Sequence, residues 1–176
     1  MPETRANVVK LDELNTEFSD AVAKAGGEKI NICLQCGTCT ASCPINRFDE
    51  TYNPRLILRA TFLGLKDKVL SNNMIWLCAS CYSCTERCPR GIRPTEVIRA
   101  IRNLAVKEGK VHSFYKLQAE AISQFGRIFQ ADEFTDEQRR SLGLPNLSQV
   151  NLNEVSIILN RTDLKKILAA NEANRP

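Results

Sequence analysis

Cys33-Leu34-Gln35-Cys36-Gly37-Thr38-Cys39-Thr40-Ala41-Ser42-Cys43-Pro44 is answered further along the chain by Cys78-Ala79-Ser80-Cys81-Tyr82-Ser83-Cys84-Thr85-Glu86-Arg87-Cys88-Pro89. Both runs read C-x2-C-x2-C-x3-C-P, and each cysteine of the second lies 45 positions after its counterpart. Together they contain all eight cysteines of a chain of 176 residues. The repeat continues outward, because Asn53-Pro54-Arg55-Leu56-Ile57-Leu58-Arg59-Ala60 aligns with Arg93-Pro94-Thr95-Glu96-Val97-Ile98-Arg99-Ala100. The offset there is 40, so the first half holds five extra residues between its Cys-Pro and its next proline. Each half reads as a cysteine run followed by a helix opened by proline, whose fixed φ suits a first helical position and whose missing N–H needs no partner there.

This cysteine spacing is that of thiolate-ligated [4Fe–4S] clusters in chains that bind two of them. Three thiolates two residues apart can wrap one corner of a cubane through a tight turn. The fourth sits where the chain is already leaving, so it ligates the other cluster. Cys33, Cys36, Cys39 and Cys88 are therefore expected around one cluster, and Cys78, Cys81, Cys84 and Cys43 around the second. Zinc would favour separated C-x2-C pairs and would leave the third cysteine of each run without a reason. Disulfides conflict with the expected compartment. The N-terminus lacks a basic segment followed by an apolar core, so no secretory signal is visible and the cytoplasm is expected. No apolar run approaches the ~20 residues that span a bilayer.

Around this core the pattern is helical. Asp12 to Ala25 predicts a short helix stopping at Gly26-Gly27, and residues 53–70 carry Leu56, Ile57, Ala60, Leu63 and Leu70 at helical spacing behind Asn53 as N-cap. Residues 94–108 and 111–130 predict two amphipathic helices. Thr135 with Gln138 matches a capping box, Gly143 suits the end of that helix, and Thr162 is expected to cap a last one through Ala170. The 34 residues between Cys43 and Cys78 show no alternating strand pattern. The expected architecture is all-α: an N-terminal arm and helix over 1–30, a two-cluster core over 31–110, a packing helix over 111–130 and a docking tail over 131–176, the arms extended. The repeat is expected to set the clusters toward opposite ends of the core, each facing a different partner.

Charge and the remaining motifs narrow the chemistry. Lys and Arg exceed Asp and Glu by 24 to 20. Two oxidised clusters would contribute about −4, which offsets that surplus. Residues 85–116 hold eight basic against three acidic side chains, readable as a docking face, as a field that raises cluster potentials, or as a solvated helix face. No aromatic–basic interleaving points to nucleic acid. No G-x-G-x-x-G or Walker A run signals a flavin, nicotinamide or nucleotide site. With every cysteine a ligand, no thiol remains for catalysis. His112, the one histidine, reads as structural. Trp76 and Tyr82 read as shields of a cluster, and Gly37 as relief of crowding where backbone nears it.

These residues resemble the α-helical ferredoxin domain, from Ile32 to about Lys110. Asn53-Pro54-Arg55, Trp76-Leu77-Cys78 and Cys88-Pro89-Arg90-Gly91 on a chain of this size are most similar to the iron–sulfur C subunit of heterodisulfide reductase. The resemblance implies an electron-transfer protein without an active site of its own. In that family a flavin-containing subunit supplies electrons, and a catalytic subunit reduces the coenzyme M–coenzyme B heterodisulfide of methanogenesis. A hydrogenase or formate dehydrogenase joins the larger complexes, which couple the reaction to ferredoxin reduction by flavin-based bifurcation. The same module in a sulfur-oxidising heterodisulfide-reductase-like complex, or an iron–sulfur sensor or structural protein, are the alternatives.

Overall fold

The computed structural model describes residues 9, 11–162 and 164. Among them the regular structure is entirely helical. In chain order the α-helices are α1 (Phe18–Lys24), α2 (Thr38–Ala41), α3 (Pro44–Phe48), α4 (Pro54–Phe62), α5 (Lys66–Leu70), α6 (Ser83–Glu86), α7 (Pro94–Lys107), α8 (Ser113–Phe125), α9 (Glu133–Ser141) and α10 (Leu152–Arg161). Short 3-10 turns lie at Leu11–Glu13, Ile30–Ile32 and Asn73–Leu77. No described helix is long and apolar enough to cross a membrane. The chain divides into two compact units, Met1–Lys110 and Val111–Pro176.

The first unit is the sequence repeat in three dimensions. A 3-10 turn enters each cysteine run and buries Ile30 in one half and Ile75 in the other, 45 positions apart. A four-residue helix lies within each run around its third cysteine, α2 and then α6, and these two helices pack together. The proline-opened helices α4 and α7 also pack on each other. They bury Ile57 and Leu58 from α4 and, 40 positions later, Val97 and Ile98 from α7. Tyr52 and Ile92 occupy equivalent buried places ahead of those helices. The five extra residues of the first half are the length of α3, which has no counterpart after Pro89. Each fully buried aliphatic side chain contributes about 1.5–3 kcal/mol relative to exposure.

Two sequence expectations change in this unit. The helix expected over 12–25 becomes a 3-10 turn and α1, separated by an Asn15 turn whose side chain accepts from the Glu17 N–H. Phe18 and Val22, one helical turn apart, place α1 in the core against α4 and α7. The helix expected over 53–70 is cut in two. Asn53 caps α4 as expected, accepting from the Leu56 N–H at 3.1 Å. The break comes at Gly64, whose φ of 76° lies in the left-handed region. The Asn15 N–H donates to the Gly64 carbonyl at 2.8 Å, and a Cβ on Gly64 would collide with the Asn15 carbonyl. Gly64→Ala is expected to destabilise the unit by about 2–3 kcal/mol, combining left-handed strain with overpacking, as a lowered denaturation midpoint.

The second unit is α8, α9 and α10, with α10 packed on α8. His112 caps α8, its Nδ1 accepting from the Phe114 N–H at 3.2 Å, which gives this histidine a structural role. α8 stops at Gly126 in the left-handed region, short of the expected residue 130. The cap of α9 is Asp132, not Thr135: Asp132 Oδ1 accepts from both the N–H and the hydroxyl of Thr135, so the helix begins one turn earlier. Gly143 follows its end with positive φ, as expected. Thr162 closes α10, its hydroxyl donating to the Ile158 carbonyl, and Leu164 just beyond it is helical. The rest of the helix expected through Ala170 lies outside the described residues. Leu159 is the buried residue of α10, while Leu152, Ile157 and Ile158 are exposed.

Candidate metal centre

Each cysteine run folds into the same strained turn. Gln35 and Ser80, equivalent in the repeat, have φ of 56° and 51°. Gly37 and Tyr82, also equivalent, have φ of 84° and 62°. Left-handed backbone at a residue with a Cβ costs about 1–2 kcal/mol, and such strain persists only where the surroundings over-determine it. Gly37 has the largest φ of the four. A Cβ there would meet no protein atom closer than Arg55 Cδ at 3.8 Å, so among its protein neighbours glycine serves the backbone angle. Tyr82 adopts the same conformation with a side chain, and that side chain is held by Arg99, which donates to its hydroxyl and lies 5.9 Å over its ring.

The turns carry matching polar contacts to sulfur. The Cys36 thiol lies 3.4 Å from Thr38 Oγ1, and Cys81 lies 3.5 Å from Ser83 Oγ. Those hydroxyls, followed by the N–H groups of the same residues, hold the Cys36 and Cys81 thiols below the ordinary thiol range, favouring the thiolate that binds metal. Gln35 Nε2 donates to Cys33 at 3.3 Å. Burial pushes the Cys39 and Cys84 thiols up. For Cys84 the Thr95 hydroxyl opposes this, while the charges of Cys78, Cys43 and Cys81 reinforce it.

Cysteines of both runs meet in space. One cavity is lined by Cys33, Cys36, Cys39 and Cys88, with Arg55 and Arg90 at its wall. Cys43 lies within electrostatic reach of Cys84 together with Cys78 and Cys81. The buried Tyr52 phenol faces Cys78 and Cys43, and burial, then those two cysteines, hold it well above its ordinary range. All eight cysteines are free thiols. Among the described residues no three Cys, His, Asp or Glu side chains converge as ligands of a single ion would. Zn–S bonds of ~2.3 Å would need such convergence, whereas the corners of a cubane hold four thiolates further apart. The donor set and its spacing therefore fit iron–sulfur clusters. The two sets are not remote from each other. α2 and α6 pack together, and the charge of Cys84 reaches Cys39.

The sequence did not reveal what holds the second turn. Arg102 of α7 donates from Nε to the Ile75 carbonyl and from Nη2 to the Cys78 carbonyl, both at 2.8 Å. It also lies 5.7 Å over the Trp76 ring. Trp76 and Tyr82, read from sequence as shields, thus each sit under an arginine of α7. Ser42 accepts from Arg87 at 3.5 Å, joining equivalent positions of the two halves.

Residues 29–92 match the family described as a 4Fe-4S dicluster domain. The second iron–sulfur C subunit of the CoB–CoM heterodisulfide reductase of Methanocaldococcus jannaschii is 39% identical, over 92% of this chain and 94% of that protein. The chain belongs to the family of heterodisulfide reductase C subunits. The C subunit of the H2:CoB–CoM heterodisulfide, ferredoxin reductase of Methanothermobacter thermautotrophicus is 34% identical over 94% of this chain and 92% of that protein. The C2 subunit of the H2/formate:CoB–CoM heterodisulfide, ferredoxin reductase of Methanococcus maripaludis is 40% identical over 78% of each. As a heterodisulfide reductase C subunit, the chain carries two [4Fe–4S] clusters and is the electron-transfer component of an oxidoreductase complex.

Proposed function

We propose that Cys33, Cys36, Cys39 and Cys88 hold one cluster and Cys78, Cys81, Cys84 and Cys43 the other. On this reading the chain passes electrons from a flavin-containing subunit to a catalytic subunit that reduces the coenzyme M–coenzyme B heterodisulfide. The observation that carries it is the meeting of cysteines from both runs at one cavity. The bound clusters supply the one-electron redox chemistry. The protein's part is to hold them: paired left-handed turns aim the thiols, Thr38 and Ser83 favour their thiolate forms, and Arg102 fixes the backbone entering the second turn. The contact of α2 with α6 keeps the two sets adjacent, as a relay requires.

The cytoplasm, where thiols stay reduced, is the compartment that suits these eight free cysteines. Residues 131–176 serve as the docking tail for a partner protein of the complex. Exposed Phe134, Leu144, Leu152, Ile157 and Ile158 supply apolar surface for that contact. A hydrogenase or formate dehydrogenase would join a larger assembly through the partners. The test is reconstitution under anaerobic conditions. The cluster-loaded chain alone, given an artificial donor, is expected to reduce no heterodisulfide. The flavin-containing and catalytic partners are expected to transfer electrons from flavin to heterodisulfide only when the chain is added. Turnover by the chain alone, or full transfer between the two partners without it, would refute the relay.

A further inference from the structure

We propose that Thr95 sets the potential of the second cluster: its buried hydroxyl donates to the Cys84 sulfur and makes that cluster easier to reduce. The inference rests on Cys84 being a cluster ligand, and it holds whichever residue completes that cluster. Thr95 Oγ1 lies 3.2 Å from Cys84 Sγ. Both residues are buried, at 2% and 8% exposure, so water cannot replace the contact. Thr85 Oγ1 donates to Thr95 Oγ1, also at 3.2 Å. A hydroxyl has one proton to give. With Thr85 satisfying its oxygen, the proton of Thr95 is left for sulfur, and a metal-bound thiolate carries none of its own. The result is a directed chain, Thr85 to Thr95 to Cys84.

The first half uses equivalent residues differently. Thr40 occupies the place of Thr85, but its proton goes to Asn53 Oδ1 at 2.8 Å, and its oxygen accepts from the Arg55 N–H at 3.1 Å. Asn53 Oδ1 is fixed as an acceptor because it also takes the Leu56 N–H. Arg55 stands where Thr95 stands in the second half, and it has no hydroxyl. Thr40 also lies beside Cys39 through its hydroxyl and N–H, but the first half has no second hydroxyl in the place from which Thr95 reaches sulfur. A hydrogen bond to a ligand sulfur stabilises the cluster more as negative charge accumulates, so reduction is favoured. In a buried site that effect is undiluted by solvent. Thr95 thus makes the two clusters of a near-symmetric chain inequivalent.

The experiment is an anaerobic redox titration of the full, cluster-loaded chain followed by electron paramagnetic resonance, with iron and sulfide measured on each variant. The Cys84 cluster is assigned as the signal altered by Cys81→Ser. Thr95→Val is expected to shift the reduction equilibrium of that cluster by about tenfold toward the oxidised form. This corresponds to about 59 mV lower for a one-electron couple. The midpoint of the other cluster should not move, and Thr95→Ser should restore the first. Thr85→Val, which frees the oxygen of Thr95 without touching sulfur, should shift the same midpoint in the same direction by less. It carries the test if Thr95→Val fails to load. Fully loaded variants with both midpoints unchanged would overturn the inference alone. A wild-type chain without a cluster on Cys84 would overturn the ligand reading and this inference together.

Discussion

Cys88→Ser is expected to give the same spectroscopic loss as Cys33→Ser, and Cys43→Ser the same loss as Cys78→Ser. In the proposed assignment the pairing crosses the two runs. Cys88 follows Cys84 by four positions in sequence, yet it lines the cavity of Cys33, Cys36 and Cys39. Each variant should fall from about eight to about four iron and sulfide per chain, because serine at one corner disables one cubane and leaves the other. If Cys88→Ser instead matched Cys78→Ser, each run would close on its own cluster and the crossed assignment would be wrong. Stoichiometric zinc without labile sulfide would remove both arrangements.

The second large effect is expected from Arg102→Met. Methionine keeps much of the stem's volume and removes the guanidinium. Two carbonyls at the entrance to the second cysteine turn then lose their donors, and the Trp76 ring loses the cation above it. Each carbonyl left without a donor costs about 1–3 kcal/mol, and the ring contact adds about 0.5–1 kcal/mol. A loss of about 3–5 kcal/mol in unfolding free energy is therefore expected, measured by denaturant titration of the loaded chain. The Cys78 turn should lose its cluster first on dilution or exposure to air. Arg102→Lys should rescue little, because a single ammonium cannot reproduce the two-nitrogen grip. A stable Arg102→Met chain with both clusters intact would show that the turn is held by other contacts.

The cysteine spacing made the centre legible from sequence because ligand geometry constrains local spacing directly. The proline-opened helices were legible for a similar reason: Asn53, Pro54 and Pro94 act on their own neighbours. What escaped the sequence depends on residues distant along the chain. Gly64 ends α4 because the backbone of Asn15 packs against it, and nothing between residues 53 and 70 signals that approach. α1 enters the core through Phe18 and Val22, two apolar positions too few to distinguish a core helix from a surface one. Thr135 with Gln138 matched a capping box, but Asp132 caps α9 because its carboxylate meets the Thr135 N–H. Tyr52, Thr95 and Arg102 carry no motif at all. Their contacts with the cysteine turns arise from the fold of α4 and α7, so only coordinates could connect them with sulfur or with the turn backbone.

The cavity that joins Cys88 to Cys33, Cys36 and Cys39 also fixes an order of biosynthesis. With ligands drawn from both halves, the first cysteine run emerges from the ribosome able to gather iron but unable to finish a cubane. With the ligands proposed above, no cluster has its full set until residue 84 has been made, and the one begun at Cys33 waits for residue 88, about 55 residues later. At ~5–20 residues per second that interval is several seconds, long compared with the folding of a short helix. The helices of the first half can therefore form before their metal centre does. Maturation then becomes a late event in which both clusters and the α2–α6 contact are secured within a few residues of each other, and a chain truncated before Cys84 would reach the degradation machinery without a complete cluster.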